Sequence, residues 1–145
     1  MNLNIQIKAL DKSAIVPTYG SEGAAAADLY AINDYFIEAG ESVPVHTGIA
    51  MAIPKGYAGH IYARSGLSCK EGLAPANKVG VIDSDYRGEI IVMLHNHDSV
   101  ERFVKAGQRV AQIEFVEVWQ ASFNVVDELD DTVRGNGGFG STGKT

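Results

Sequence analysis

The period of the apolar residues constrains this chain most, and that period is two. In "LNIQIKA" Leu3, Ile5 and Ile7 share a face; in "VPVHTGIAMAI" Val43, Val45, Ile49, Met51 and Ile53 do. The same alternation runs through "AGHIYAR", "GEIIVMLHN" and "RVAQIEFVEVW". Side chains of an extended backbone point alternately to opposite faces, so each of these runs predicts a half-buried strand. Punctuation rich in Gly, Pro and Asp, as in "EAGES", "IPKGY" and "KAGQR", separates them. Many short strands at such spacing predict an all-β sandwich or barrel. With 145 residues the chain suits one domain and can bury a proper core.

Two segments break the pattern. "SGLSCKEG" (Ser65–Gly72) has Ser at a cap position and Gly as a stop, and predicts one short helix with Arg64 and Ser65 at its positive end. "GAAAADLYA" is helical by alanine content, but the alternation of Leu29 and Ala31 favours a strand. After about residue 125 the composition turns acidic and then Gly-rich. This places a core at residues 1–125 and a flexible arm at 126–145.

Net charge is −6, which argues against a sequence-independent grip on nucleic acid. An anionic small ligand then needs local arginines, backbone amides or a divalent cation to overcome the field. No apolar run reaches about 18 residues, and the N-terminus lacks a signal peptide's apolar stretch, so no membrane partner and a cytoplasmic location are expected. The only cysteine, Cys69, excludes an intrachain disulfide and a cysteine metal cage.

Several stretches carry chemistry. Within "GVIDSDYRGE" (Gly80–Glu89), "IDSDYRG" reads as a hairpin turn or tight loop between two apolar strands. Asp83 and Asp85 share a face if the backbone is extended. One is suited to orient a water and the other to brace Arg87; a merely solvated turn is the alternative. Arg64 and Ser65 in "YARSGLS" suit a phosphate. Gln112, a polar amide among apolar neighbours, either bonds backbone or faces a site. Asp28 among alanines is a cap, a turn partner, or a group that reaches a cation through water. His95 and His97 lie two apart and face the same way, half of a metal site or a structural or interface pair. His46 and His60 are strand positions without special claim.

"GFGSTGKT" (Gly138–Thr145) matches the letters of a phosphate-cradling P-loop. Such a loop sits between a buried strand and a helix. Here "DELDDTVRGN" precedes it, acidic and polar, and the sequence supplies no helix after Thr145. A mobile arm that wraps amides and hydroxyls around phosphate oxygens, beside Arg134 and Lys144, is the physical content that remains.

Together these stretches resemble the five motifs of the trimeric deoxyuridine triphosphate nucleotidohydrolase (dUTPase) family, in order and spacing: "AAAADLYA", "ARSGLS", "NKVGVIDSDYRGEI", "GQRVAQIEF" and "RGNGGFGSTG". The resemblance covers essentially the whole chain. It implies a jelly-roll-like β-barrel and hydrolysis of dUTP to dUMP and pyrophosphate, with Mg2+ as cofactor. That activity keeps uracil out of DNA and supplies dUMP for dTMP synthesis. It also implies a homotrimer whose active sites are shared between subunits.

Carried over by residue, the resemblance implies that Asp83 orients the attacking water. Tyr86 stands beneath the deoxyribose and leaves no room for a 2′-hydroxyl. Asn77 and the backbone of Val81, Ile82 and Asp83 read the uracil edge, with Ile91 closing the slot. Arg64, Ser65, Gly66 and Gln112 hold phosphates, and Asp28 contacts magnesium through water. Arg134, Gly140, Ser141 and Thr142 close over the outer phosphates, while Phe139 stacks on the uracil. One departure concerns the first motif: Ala26 takes a position that is usually glycine, and Ala27 one often held by an aromatic residue. If that glycine has a positive φ, alanine is strained there.

Two other readings share this fold. A dCTP deaminase needs an added acid/base, usually a glutamate in the base pocket, and no glutamate closely precedes "IDSDY". A non-catalytic β trimer is expected to have lost some of Asp28, Arg64, Asp83, Gln112 and Phe139, which are all present.

Overall fold

The computed structural model describes residues 3–139. The alternating runs become eleven strands: β1 (Gln6–Ala9), β2 (Thr18–Tyr19), β3 (Ala27–Tyr30), β4 (Tyr35–Ile37), β5 (Ser42–Ala52), β6 (Tyr57–Tyr62), β7 (Leu73–Pro75), β8 (Gly80–Ile82), β9 (Glu89–Asn96), β10 (Arg102–Val104) and β11 (Arg109–Glu117). One helix, α1 (Ser65–Glu71), interrupts them.

The strands form a four-stranded sheet in the order β1-β5-β9-β7, a five-stranded sheet in the order β2-β3-β11-β6-β8, and a β10-β4 ribbon. Every pairing is antiparallel. The arrangement is jelly-roll-like, as expected, with open sheets in place of a closed barrel. The inward residues of all three sheets meet in one core. Val45, Ile49, Ile90, Val92 and Leu94 come from the first sheet, Leu29, Ile61, Val110 and Ile113 from the second, and Ile37 and Val104 from the ribbon. Each such burial contributes roughly 1.5–3 kcal/mol, more than any single polar contact on the surface. No helix among the described residues is long and apolar enough to cross a membrane.

β5 departs from strict alternation. Its pairing with β9 slips between His46 and Ala50, and Gly48 at that slip has φ +67. The bulge turns Thr47, Gly48, Ile49 and Ala50 all into buried positions. Glu89 holds it from across the sheet: Oε1 accepts the Gly48 N–H at 2.8 Å and Oε2 meets His46 Nδ1 at 2.9 Å.

The "ADLY" stretch is a strand, as the alternation predicts. Ala26 lies outside the left-handed region, since Lys78 and Phe139 are the only described non-glycine residues there. Alanine is therefore not strained at that motif position. The helix differs from expectation in one detail: Arg64, not Ser65, is its N-cap, and no side chain caps it. Gly72 ends it in the left-handed conformation, φ 66.

The fully buried amide of Asn96 ties the elements together. Its Nδ2 donates to Ile37 O at 2.9 Å and Val100 O at 2.8 Å, and its Oδ1 accepts the Asp98 N–H at 2.9 Å. Asn96→Ala leaves those groups without partners and is expected to cost about 2–4 kcal/mol. Urea unfolding at matched chain concentration measures this; a loss below about 0.5 kcal/mol would show that water replaces the amide at no cost.

The last strand ends at Glu117, and residues 118–139 contain neither strand nor helix. Trp119, Phe123, Val125, Leu129 and Val133 are almost wholly exposed there.

Candidate active site

Two groups of expected site residues stand on the five-stranded sheet. The first surrounds a cleft of about 200 Å³ lined by Asp28, Arg64, Ser65, Gly66 and Gln112, together with Arg109. β3 supplies Asp28, β11 supplies Arg109 and Gln112, and the turn into α1 supplies Arg64, Ser65 and Gly66. Gln112 faces Asp28 on one side and Tyr62 on the other, so adjacent strands bring distant motifs into one row.

The Asp28 carboxylate is nearly buried and is neutralised twice. Arg64 Nε donates to Oδ1 at 2.7 Å, and Arg109 Nη1 donates to Oδ2 at 3.3 Å. This ion pairing is neither a cap nor a turn contact. Gln112 Nε2 donates to Ala63 O at 3.0 Å, so Gln112 both bonds backbone and faces the cleft. Arg109 is the residue that sequence reasoning does not single out, because an arginine opening a strand reads as a solvated charge. The signal available was Asp28 itself, a carboxylate among alanines that required a cation. With two arginines for one carboxylate, the cleft is locally cationic on a chain of net charge −6, and it suits an anion.

The second group surrounds the segment from β8 to β9. It is a tight loop and not a hairpin, because β8 pairs with β6 and β9 pairs with β5. Alternation identifies both strands but not their partners, and the loop in fact crosses from one sheet to the other. Within it, the Tyr86 N–H donates to Asp83 O at 3.2 Å. Arg87 Nη1 donates to Ser84 O and Tyr86 O, each at 2.8 Å. Arg87 thus staples the backbone, and Asp85 is not its brace. Val81, Asp83 and Asp85 are exposed, but the backbone turns at Ser84 and Asp85, so the extended geometry that would place Asp83 and Asp85 on one face is absent. Val81 and Asp83 line a larger cavity of about 1300 Å³. Asn77 is exposed in the loop before β8, next to Lys78 at φ 65. A lysine held there costs of order 1 kcal/mol or more. Ile91 lies on the outer face of β9, 41% exposed.

The two groups stand apart. Ile82 pairs with Gly59, so Asp83 is level with Ala58, and Arg64 lies six positions further along the chain. At about 3.3 Å per residue that separation is roughly 20 Å.

Of the arm residues, Arg134 bonds within its own loop, Nε donating to Gly137 O at 2.9 Å, and Phe139 is fully exposed. Gly140, Ser141 and Thr142 lie outside the described residues, as does most of "GFGSTGKT". His95 and His97 do face one another, with ring centroids 4.3 Å apart, and Ser42 Oγ meets His95 Nδ1 at 2.8 Å. Desolvation, then the neighbouring His95 and Lys78, hold His97 below the ordinary imidazole range. Among the described residues, no three His, Cys, Asp or Glu side chains converge on a metal position.

Comparison with known proteins decides the family. The family model described as dUTPase matches residues 12–143. The chain belongs to the dUTPase family. A deoxyuridine 5'-triphosphate nucleotidohydrolase of Zymomonas mobilis is 46% identical over 145 residues, 99% of each chain. One from Desulfitobacterium hafniense is 50% identical over 136 residues, 92% of this chain and 90% of the relative. Among solved structures, the Staphylococcus bacteriophage 80alpha dUTPase with dUPNHPP superposes with a TM-score of 0.90 at 26% identity. It covers 97% of this chain and 98% of that one. These likenesses account for the jelly-roll-like sheets and for motifs that span the whole dUTPase chain.

Proposed function

We propose that this chain hydrolyses dUTP to dUMP and pyrophosphate in a site assembled from separate copies of a homotrimer. The observation that carries the shared site is the spacing on the five-stranded sheet. A water held by the Asp83 carboxylate lies about 3 Å from it and attacks a phosphorus about 3–3.5 Å further on. Arg64 and its cleft stand roughly 20 Å from Asp83 along the same chain. One copy therefore offers the base and water half of a site, and a neighbouring copy offers the phosphate half. The arm, carrying Arg134 and Phe139, closes from a further copy.

In this reading Asp83 accepts the proton of the attacking water while the bond to the pyrophosphate leaving group breaks. Asn77 and the backbone of Val81, Ile82 and Asp83 meet the uracil edge, with Ile91 closing the slot. A cytosine amino group would set donor against donor, and a 5-methyl group would clash. Ser65, Gly66, Gln112 and the two cleft arginines meet the phosphates. Phe139 stacking on uracil contributes about 1–3 kcal/mol.

The residues fit an outer-sphere magnesium ion. Mg2+ keeps several waters and is bound by one or two carboxylates together with substrate phosphates, not by a protein cage. Each carboxylate oxygen accepts more than one hydrogen bond, so Asp28, although paired with Arg64 and Arg109, retains capacity for a metal-bound water. When bound, the ion supplies charge neutralisation at the phosphates.

The test is pyrophosphate release from dUTP, dTTP, dCTP and UTP, each with magnesium and with chelator. Release from dUTP alone, lost with chelator, is expected; ammonia from dCTP would assign the sister deaminase chemistry instead. The sugar preference rests on Tyr86. Tyr86→Ala is expected to lower the ratio of kcat/KM for dUTP over UTP by roughly tenfold to a hundredfold, and an unchanged ratio would remove Tyr86 from sugar selection.

A further inference from the structure

We propose that Gly88 and Glu89 form a seat for the Tyr86 ring, which makes Gly88 a specificity-determining position for 2′-deoxy over ribonucleotides. The inference rests on the reading of Tyr86 as the floor under the sugar.

Tyr86 is 43% exposed, and an exposed tyrosine ordinarily swings about two side-chain torsions. Excluding a hydroxyl requires the opposite, a plate held to about 0.5 Å. Two contacts supply that constraint. The Tyr86 hydroxyl donates to the Glu89 carbonyl at 3.0 Å. The ring also lies over the Cα of Gly88: a Cβ built there would stand 2.6 Å from Tyr86 Cζ and 3.0 Å from Cε2. The backbone of Gly88 is not in the left-handed region, unlike that of six other glycines. A side chain at position 88 would therefore act on the space that the tyrosine occupies and not on the backbone conformation.

The seat is itself anchored. The Glu89 carboxylate grips the β5 bulge through the Gly48 N–H and His46 Nδ1. On the other side, Arg87 bonds to the carbonyls of Ser84 and Tyr86, and the Tyr86 N–H closes the turn onto Asp83 O. The ring lies against Gly88, its hydroxyl bonds the first residue of β9, and its backbone closes the turn onto Asp83. A methyl group at position 88 would lift the ring while leaving every other group of the proposed site in place.

The experiment compares kcat/KM for dUTP and UTP in the parent chain, Gly88→Ala, Tyr86→Ala and the double variant. Gly88→Ala is expected to bring the dUTP/UTP ratio to within about threefold of that of Tyr86→Ala, and the double variant to fall no further. Groups that act through one another are non-additive. A parental ratio in Gly88→Ala, or additive effects in the double variant, would overturn the seat. If Gly88→Ala does not fold, Tyr86→Phe carries the test: it keeps the ring and removes the hydroxyl anchor, and the ratio should fall roughly two- to tenfold. A parental ratio in Tyr86→Phe overturns the seat as well. A parent chain that cleaves dUTP and UTP equally would sink the sugar reading itself, and this inference with it.

Discussion

Asp83→Asn is expected to lower kcat for dUTP by about two to four decades while the chain folds and binds the nucleotide as before, the range typical of losing a positioned general base. The substitution is nearly isosteric, and its structural cost is small. Asp83 enters the loop architecture through its backbone, whose carbonyl accepts the Tyr86 N–H, and its side chain is exposed. An asparagine still hydrogen-bonds a water but no longer takes its proton. Single-turnover hydrolysis and equilibrium binding of a non-hydrolysable dUTP analogue separate the two effects. Turnover within threefold of the parent would remove Asp83 from the chemistry; lost binding with normal folding would recast it as a recognition group.

The strands were legible because alternation reports burial directly. Ile5 and Ile7, and Val45 and Met51, turn the expected faces inward, whereas in β9, apolar on both faces, only the structure shows that Ile90, Val92 and Leu94 are the inward set. Partnership between strands was not legible, since period two says nothing of which edge a strand meets. That is why the loop after Ile82, readable as a hairpin, crosses between sheets. The β5 bulge was likewise hidden: it is held by Glu89, distant in sequence, which accepts the Gly48 N–H.

At the candidate site, Asp28, Arg64 and Gln112 could be named from their motifs. Their mutual arrangement came only with the β3–β11–β6 register. Arg109 escaped because its meaning depends on Asp28 two strand positions away in space, not in sequence. The roughly 20 Å between Asp83 and Arg64 follows from the β6–β8 register, which no local pattern encodes. In sequence, a site shared between subunits is implied by the family resemblance alone and by no spacing of the motifs themselves.

A mixing experiment on the two half-sites tests the shared site most directly. One protomer carries Asp83→Asn and keeps Arg64; the other carries Arg64→Ala and keeps Asp83. Arg64→Ala removes a phosphate ligand yet leaves Asp28 its pairing with Arg109, so the fold should survive. Each variant alone should be nearly inactive. After unfolding, equal mixing and refolding, every mixed three-fold ring contains one interface at which an intact Asp83 meets an intact Arg64. Random assembly makes about three quarters of the trimers mixed, so about a quarter of all sites should regain parental turnover. If Asp83 and Arg64 of the same chain served one site, no mixture would contain an intact one. Recovery near a quarter of parental activity is the predicted result; a mixture as inactive as its parents, with mixed trimers confirmed by mass, would contradict the shared site.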